Sequence, residues 1–206
     1  MPCTRMACGR RCKKMTDASD DVSYGFRRSD AGRLVLRTDL VERGLLNTLA
    51  DQLMNILTPP ENDLDLDPLA RMVGIDAEVA MPTDEVLLRL LPDAYTDDAE
   101  AAADFRRFTD RDLREIKIAH AGVVRTTLER SGEKVTLTPD EAQSWLGFLN
   151  DARLALGTRM GISESNHEEL AHLPDEDLRS GMYHVYDWLT FLQESLIQAL
   201  MPDLDA

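Results

Sequence analysis

All three cysteines of this 206-residue chain, Cys3, Cys8 and Cys12, fall within its first twelve residues. Arg5, Arg10, Arg11, Lys13 and Lys14 surround them, and no acid precedes Asp17. Neighbouring cations lower a thiol's pKa and raise its thiolate fraction, and the thiolate is the species that peroxide attacks. A sulfenic acid on one cysteine would find a resolving thiol four or five residues away. Cys8 lies between the other two and can pair with either. Closing so short a loop would restrict the segment by roughly 2 kcal/mol, enough to reposition a basic arm but not to remodel a core. Zinc fits less well. The C-x4-C-x3-C spacing supplies three ligands with no nearby histidine, whereas a structural site takes four. No metal and no cofactor are expected. A further reading stays open: Met6 and Met15 are alternative starts, and translation from Met15 would omit the thiols altogether.

Charge is distributed unevenly. Residues 1 to 14 hold five of the 23 basic side chains and none of the 38 acids. The remaining 18 bases against 38 acids leave residues 15 to 206 with a balance of −20. Such a body repels nucleic acid over long range, because DNA affinity comes largely from phosphate neutralisation. Any contact with DNA would need a local patch: the tail cations Arg5, Arg10, Arg11, Lys13 and Lys14, with Arg27, Arg28, Arg33 and Arg37 after them.

The other constellations are weaker. His167-Glu168-Glu169-Leu170-Ala171-His172 resembles a zinc-protease signature with one residue too many, which turns the two histidines about 140° apart on a helix. There is no GxGxxG, P-loop or GxSxG motif, and no enzyme is expected. Asn150, Asp151, Arg153, Thr158 and Arg159 are polar groups on a largely apolar helical segment, suited to an internal ion-pair or capping network or to a partner site. His120 and His184 are expected at core edges, hydrogen-bonded to neighbours. A helix–turn–helix drawn from Asp67 through Gly74 to Leu91 has too long a connection. Its second helix holds Asp84 and Glu85 against Arg89.

These groups must be positioned by a mainly helical bundle with a short N-terminal β-hairpin. Residues 1–23 read as a basic, cysteine-containing tail and acidic linker, and residues 24–206 as a single domain. Tyr24–Arg28 and Arg33–Arg37 alternate as strands about a turn at Gly32. Glu133–Leu137 is a distant strand-like piece that could complete the pair. Helices are expected at 39–57, 67–73, 84–91, 98–130 (capped by Asp97 with Glu100, with a break near Thr109), 139–160 and 175–201. Residues 161–174 form an irregular loop. The buried side of the fourth is expected at Phe105, Phe108, Ile116, Ala119, Val123 and Val124. Thr138-Pro139-Asp140-Glu141 is a strong helix start. Gly122, Gly147 and Gly157 fit close helix–helix approaches. No apolar run reaches the roughly 20 residues of a membrane span, and the N-terminal stretch lacks the apolar segment of a secretory signal. A cytoplasmic protein is expected.

Three stretches carry a resemblance: Leu91–Tyr95 with Asp97–Ala102 and Phe105–Arg107, Leu137–Trp145, and Leu149–Arg159. With the Gly32 hairpin they resemble an actinobacterial family of unassigned domains commonly encoded beside the ClpS adaptor, which includes AosR-like oxidative-stress transcriptional regulators. The resemblance spans about residues 24 to 200. It implies a thiol-switched regulator that works with RNA polymerase sigma factors, with the thiols Cys3, Cys8 and Cys12. The acidic body suits a sigma factor or other transcription component better than unaided promoter DNA. Homodimerisation is compatible with the sequence. The rival reading is a helical interaction module or adaptor with no redox or DNA role.

Overall fold

A computed structural model of the chain describes residues 25–29, 31–59, 81–95, 97–130, 132, 134–174 and 176–201. Strands β1 (Gly25–Arg28) and β2 (Leu34–Arg37) form the expected hairpin, with Gly32 at φ 73° closing its turn. The distant strand, β3 (Lys134–Leu137), pairs antiparallel with β2 and gives the order β1-β2-β3. A lone hairpin is marginal in water; the third strand completes a face that can be buried. Phe26, Leu36 and Val135 stand side by side on that face and are all buried. Phe26 meets Trp145 edge-on at 5.4 Å between centroids.

The helices are α1 (Leu40–Leu57), α2 (Glu85–Leu90), α3 (Ala99–Arg130), α4 (Pro139–Arg159), α5 (His167–Ala171) and α6 (Leu178–Leu200). Helix α3 packs against α1 and α4, and α4 packs in turn against α2 and α6. Trp145 and Phe148 of α4 are completely buried near the middle of this arrangement. The indole N–H of Trp145 donates to Thr127 Oγ1 at 2.9 Å, so its one polar atom is satisfied in the core. Helix α6 lies along the outer edge of β1, where the amide of Phe26 donates to Ser195 Oγ at 2.9 Å. That contact and the helix cover a strand edge that would otherwise invite pairing.

Several sequence expectations are corrected. Helix α3 runs unbroken through Thr109, whose hydroxyl bonds back to the carbonyl of Phe105 instead of capping a new helix. The α3 cap is Asp98 rather than Asp97: its carboxylate accepts the amides of Glu100 and Ala101. Phe105, Phe108, Ile116 and Ala119 face solvent, not the core. The helix has two stripes, and the inward one carries Asp110, Arg114, Lys117, Ala121, Val124 and Leu128. Its charged members are paired, as described below, so hydrophobicity alone points to the wrong face. Gly147 and Gly157 do mark close approaches, to His120 and Tyr186, but Gly122 has open space beside it. His184 is exposed, and His120 is wedged against Gly147 with its Nδ1 buried and unpartnered among the described residues. Residues 161–174 include the short helix α5 rather than loop alone. Helix α6 starts after Asp177, whose side chain accepts the amide of Arg179. The expected helix at 67–73, and with it the first half of the drawn helix–turn–helix, lies outside the described residues.

Candidate functional site

The thiols Cys3, Cys8 and Cys12 and the cations Arg5, Arg10, Arg11, Lys13 and Lys14 lie outside the described residues. The site is therefore built from β1, the strand to which that segment leads. The three strands read Gly-Phe-Arg-Arg, Leu-Val-Leu-Arg and Lys-Val-Thr-Leu: four cations and no acid in twelve residues. In a chain with more acids than bases this is a local reversal of charge.

Strand register divides these cations between tasks. Side chains alternate faces along a strand, so the face opposite Phe26, Leu36 and Val135 carries Arg27, Val35 and Thr136 in one row. Arg37 and Lys134 stand opposite each other in the next row. Arg28 has a structural duty: its Nε donates to the carbonyl of Ala199 at 2.7 Å and an Nη to that of Leu200 at 3.4 Å. It thereby satisfies the orphan carbonyls at the end of α6, where a cation also suits the helix dipole. The side chains of Arg27, Arg33 and Lys134 make no hydrogen bond or ion pair with another described residue. Arg33 lies on the rim of an open cleft of about 480 Å³ between the hairpin turn, Thr136–Pro139 and Leu200. Sequence reasoning singled out Arg27, Arg28, Arg33 and Arg37 as one patch. The structure withdraws Arg28 from it and adds Lys134, roughly a hundred positions away. No local signal could have supplied Lys134; only the pairing of β3 with β2 does.

The polar residues of α4 form the internal network. Asp151 is almost wholly buried and accepts Lys117 Nζ at 2.7 Å. Arg153 donates to Thr190 Oγ1 at 2.9 Å and to Gln193 Oε1, and its guanidinium lies 5.5 Å from the Tyr186 ring centre. Arg159 pairs with Asp84, the cap of α2, at 2.7 Å. That hydrogen bond, and the amide of Val86, lower the Asp84 pKa from its usual value. Asn150 is exposed and stands outside the network. On α3, Arg114 bonds both Asp110 and the terminal carbonyl of α1 at Leu57. Asp110, Arg114 and Lys117 were not read from the sequence. Their signal is the helical spacing that continues through Ala121, Val124 and Leu128, all buried.

His167 faces Tyr183 across 3.3 Å, while His172 bonds back to the Glu168 carbonyl. The described residues contain no group of three histidine, aspartate or glutamate side chains placed to hold a metal. Chemically, the arrangement offers an internally paired helical body and one positively charged sheet face.

A family model, "Domain of unknown function (DUF2017)", matches residues 23–200. The chain belongs to the DUF2017 family. The match takes in the sheet and the six helices among the described residues and begins downstream of the three cysteines. Within reach of this family are proteins of Mycobacterium tuberculosis and Mycobacterium bovis, each named "Oxidative stress regulator AosR". Each is 30% identical over 214 aligned positions, covering 94% of this chain and 97% of the relative. A further relative, from Mycobacterium leprae, is 33% identical with the same coverage. No solved structure matches the chain. No helix among the described residues is long and apolar enough to cross a membrane.

Proposed function

We propose that this protein is a redox-responsive transcription regulator. The observation that carries the reading is 30% identity, over nearly the full length of both chains, to proteins named as oxidative stress regulators. The thiols available for sensing are Cys3, Cys8 and Cys12, since the chain has no other cysteine. Their basic surroundings favour the thiolate, and oxidation of one to a sulfenic acid followed by attack of a second would close a disulfide. The partner is a protein of the transcription machinery, such as an RNA polymerase sigma factor, in preference to unaided promoter DNA. An acidic body whose helix cations are mostly paired with acids, leaving clustered positive charge in a tail and one small face, supports that choice.

The test compares peroxide-treated wild type with Cys8→Ser. Thiols are mapped by mass spectrometry and output is measured from a promoter that responds to oxidant. The expected result is an intramolecular disulfide in the wild type and loss of the oxidant response in the variant. Absence of any disulfide, or an unchanged response in the variant, would leave a helical interaction module without a redox role.

A further inference from the structure

We infer that the outer face of the β1-β2-β3 sheet is a docking surface for an acidic segment of a partner protein. The identification of the occupant as a protein rests on the regulatory reading above; the surface itself rests on charge and geometry.

Arg27, Val35 and Thr136 form the central row of this face, with Arg37 and Lys134 beside it. Arg33 adds a cation at the hairpin end. The charged side-chain groups of Arg27, Arg33 and Lys134 have no partner among the described residues, whereas most charged groups of the helices are paired. Cations without acidic partners leave a local positive potential on this face that an anion can meet. Val35 supplies an apolar contact between Arg27 and Thr136. The surface thus suits carboxylates grouped around an apolar side chain.

Size decides between an acidic protein segment and a nucleic acid. Four residues at strand spacing and three strands give a face of about 13 by 10 Å. A short peptide fits within it. A duplex, with one charge per roughly 1.7 Å of axis, extends well past it and meets a body whose balance is −20. The face exceeds the Debye length of about 8 Å at physiological salt, so its local sign governs a small occupant while distant acids are screened.

The test uses the full-length protein under reducing conditions and a fluorescein-labelled 12-residue glutamate peptide with interspersed leucines. Anisotropy gives affinity, and backbone amide shifts give location. Arg27→Glu and Lys134→Glu are each expected to weaken binding several-fold, and together roughly tenfold. Arg89→Glu changes net charge by the same amount on α2 and is expected to leave affinity nearly unchanged. Shifts are expected in residues 25–28, 34–37 and 134–137. They should persist when Arg10, Arg11, Lys13 and Lys14 are replaced by glutamine.

Equal weakening by Arg89→Glu would reduce the effect to overall charge and overturn the assignment. So would sheet shifts that vanish with the tail substitutions. A tenfold gain in affinity on replacing Asp17, Asp20 and Asp21 with asparagine would make the chain's own linker the occupant instead of a partner. Tighter binding of a 20-base-pair duplex, lost through the same sheet substitutions, would make the face a nucleic-acid site. None of these readings uses the thiols. Failure of the Cys8→Ser experiment with peptide binding intact would remove the redox reading and leave the surface standing.

Discussion

Glu141 gathers three hydrogen bonds, and two structural jobs, on one carboxylate. It accepts the Thr138 amide at 2.8 Å, completing the capping box of α4, and it accepts two bonds from Arg130 at 2.6 and 2.8 Å. Its pKa is lowered from 4.5 to about 2, chiefly by the Arg130 hydrogen bonds, with the Thr138 amide adding to them. A group whose folded pKa is depressed contributes stability above its unfolded value, and that stability is lost as pH falls through the folded value. The window therefore runs from about pH 4.5 down to about pH 2. Because the Arg130 side chain is 47% exposed, solvent screening reduces the contribution to about 1 kcal/mol at neutral pH. Glu141→Gln keeps the shape without the charge. Denaturant unfolding should show it less stable than wild type by about 1 kcal/mol at pH 7, with the gap closing towards pH 2. A gap of constant size across that range would show that charge is not the cause. The sequence displayed half of this arrangement. Thr138 and Glu141 are three residues apart and legible as a cap, whereas Arg130 belongs to another helix. Asp151 follows the same rule: its polarity stood out on α4, but Lys117 lies 34 positions away on a stripe that hydrophobicity does not reveal.

Among the elements, the seam between β1 and α6 is set by a single missing side chain. Gly25 has φ 91°, and a Cβ there would stand 2.9 Å from Ser195 Oγ and 3.0 Å from the Phe191 ring. Gly32, in the hairpin turn, also has positive φ (73°), but open space surrounds it. Alanine at Gly32 therefore meets only the conformational penalty, about 1 kcal/mol. Alanine at Gly25 meets that penalty and also displaces the hydroxyl that accepts the Phe26 amide. Gly25→Ala should cost about 2–3 kcal/mol in denaturant unfolding, clearly more than Gly32→Ala. Equal costs would mean that α6 yields at this seam. Turn chemistry made Gly32 readable from its neighbours; Gly25 passed as an ordinary member of the strand expected at Tyr24–Arg28 because the helix that crowds it comes some 170 residues later. The same locality explains α3. Both its ends were close to readable, but its continuity through Thr109 was not, and which of its two stripes turned inward depended on Asp110, Arg114 and Lys117 finding partners on α1, α3 and α4.

For the molecule as a whole, charge limits what DNA binding can look like. The tail provides five cations, and the body opposes them with a balance of −20. Each phosphate neutralised contributes a slope of about −0.9 to log affinity against log salt, so five tail contacts give at most about −4.5. Between 50 and 200 mM salt that limit corresponds to a loss of roughly 500-fold. Repulsion from the body weakens as salt rises, which makes the observed slope shallower still. Full-length protein titrated onto a 20-base-pair duplex at four salt concentrations should therefore give a slope between zero and about −4.5. Replacing Arg10, Arg11, Lys13 and Lys14 with glutamine should bring that slope close to zero. A slope steeper than the limit would require cations beyond the tail. Arg27, Arg33 and Lys134 would be the available source, and the sheet face would then belong to nucleic acid instead of an acidic protein segment. The sequence made the charge division between tail and body plain, because charge is counted without knowing the fold. It showed the hairpin arginines as a basic patch but not Lys134, which joins them only once β3 has paired with β2.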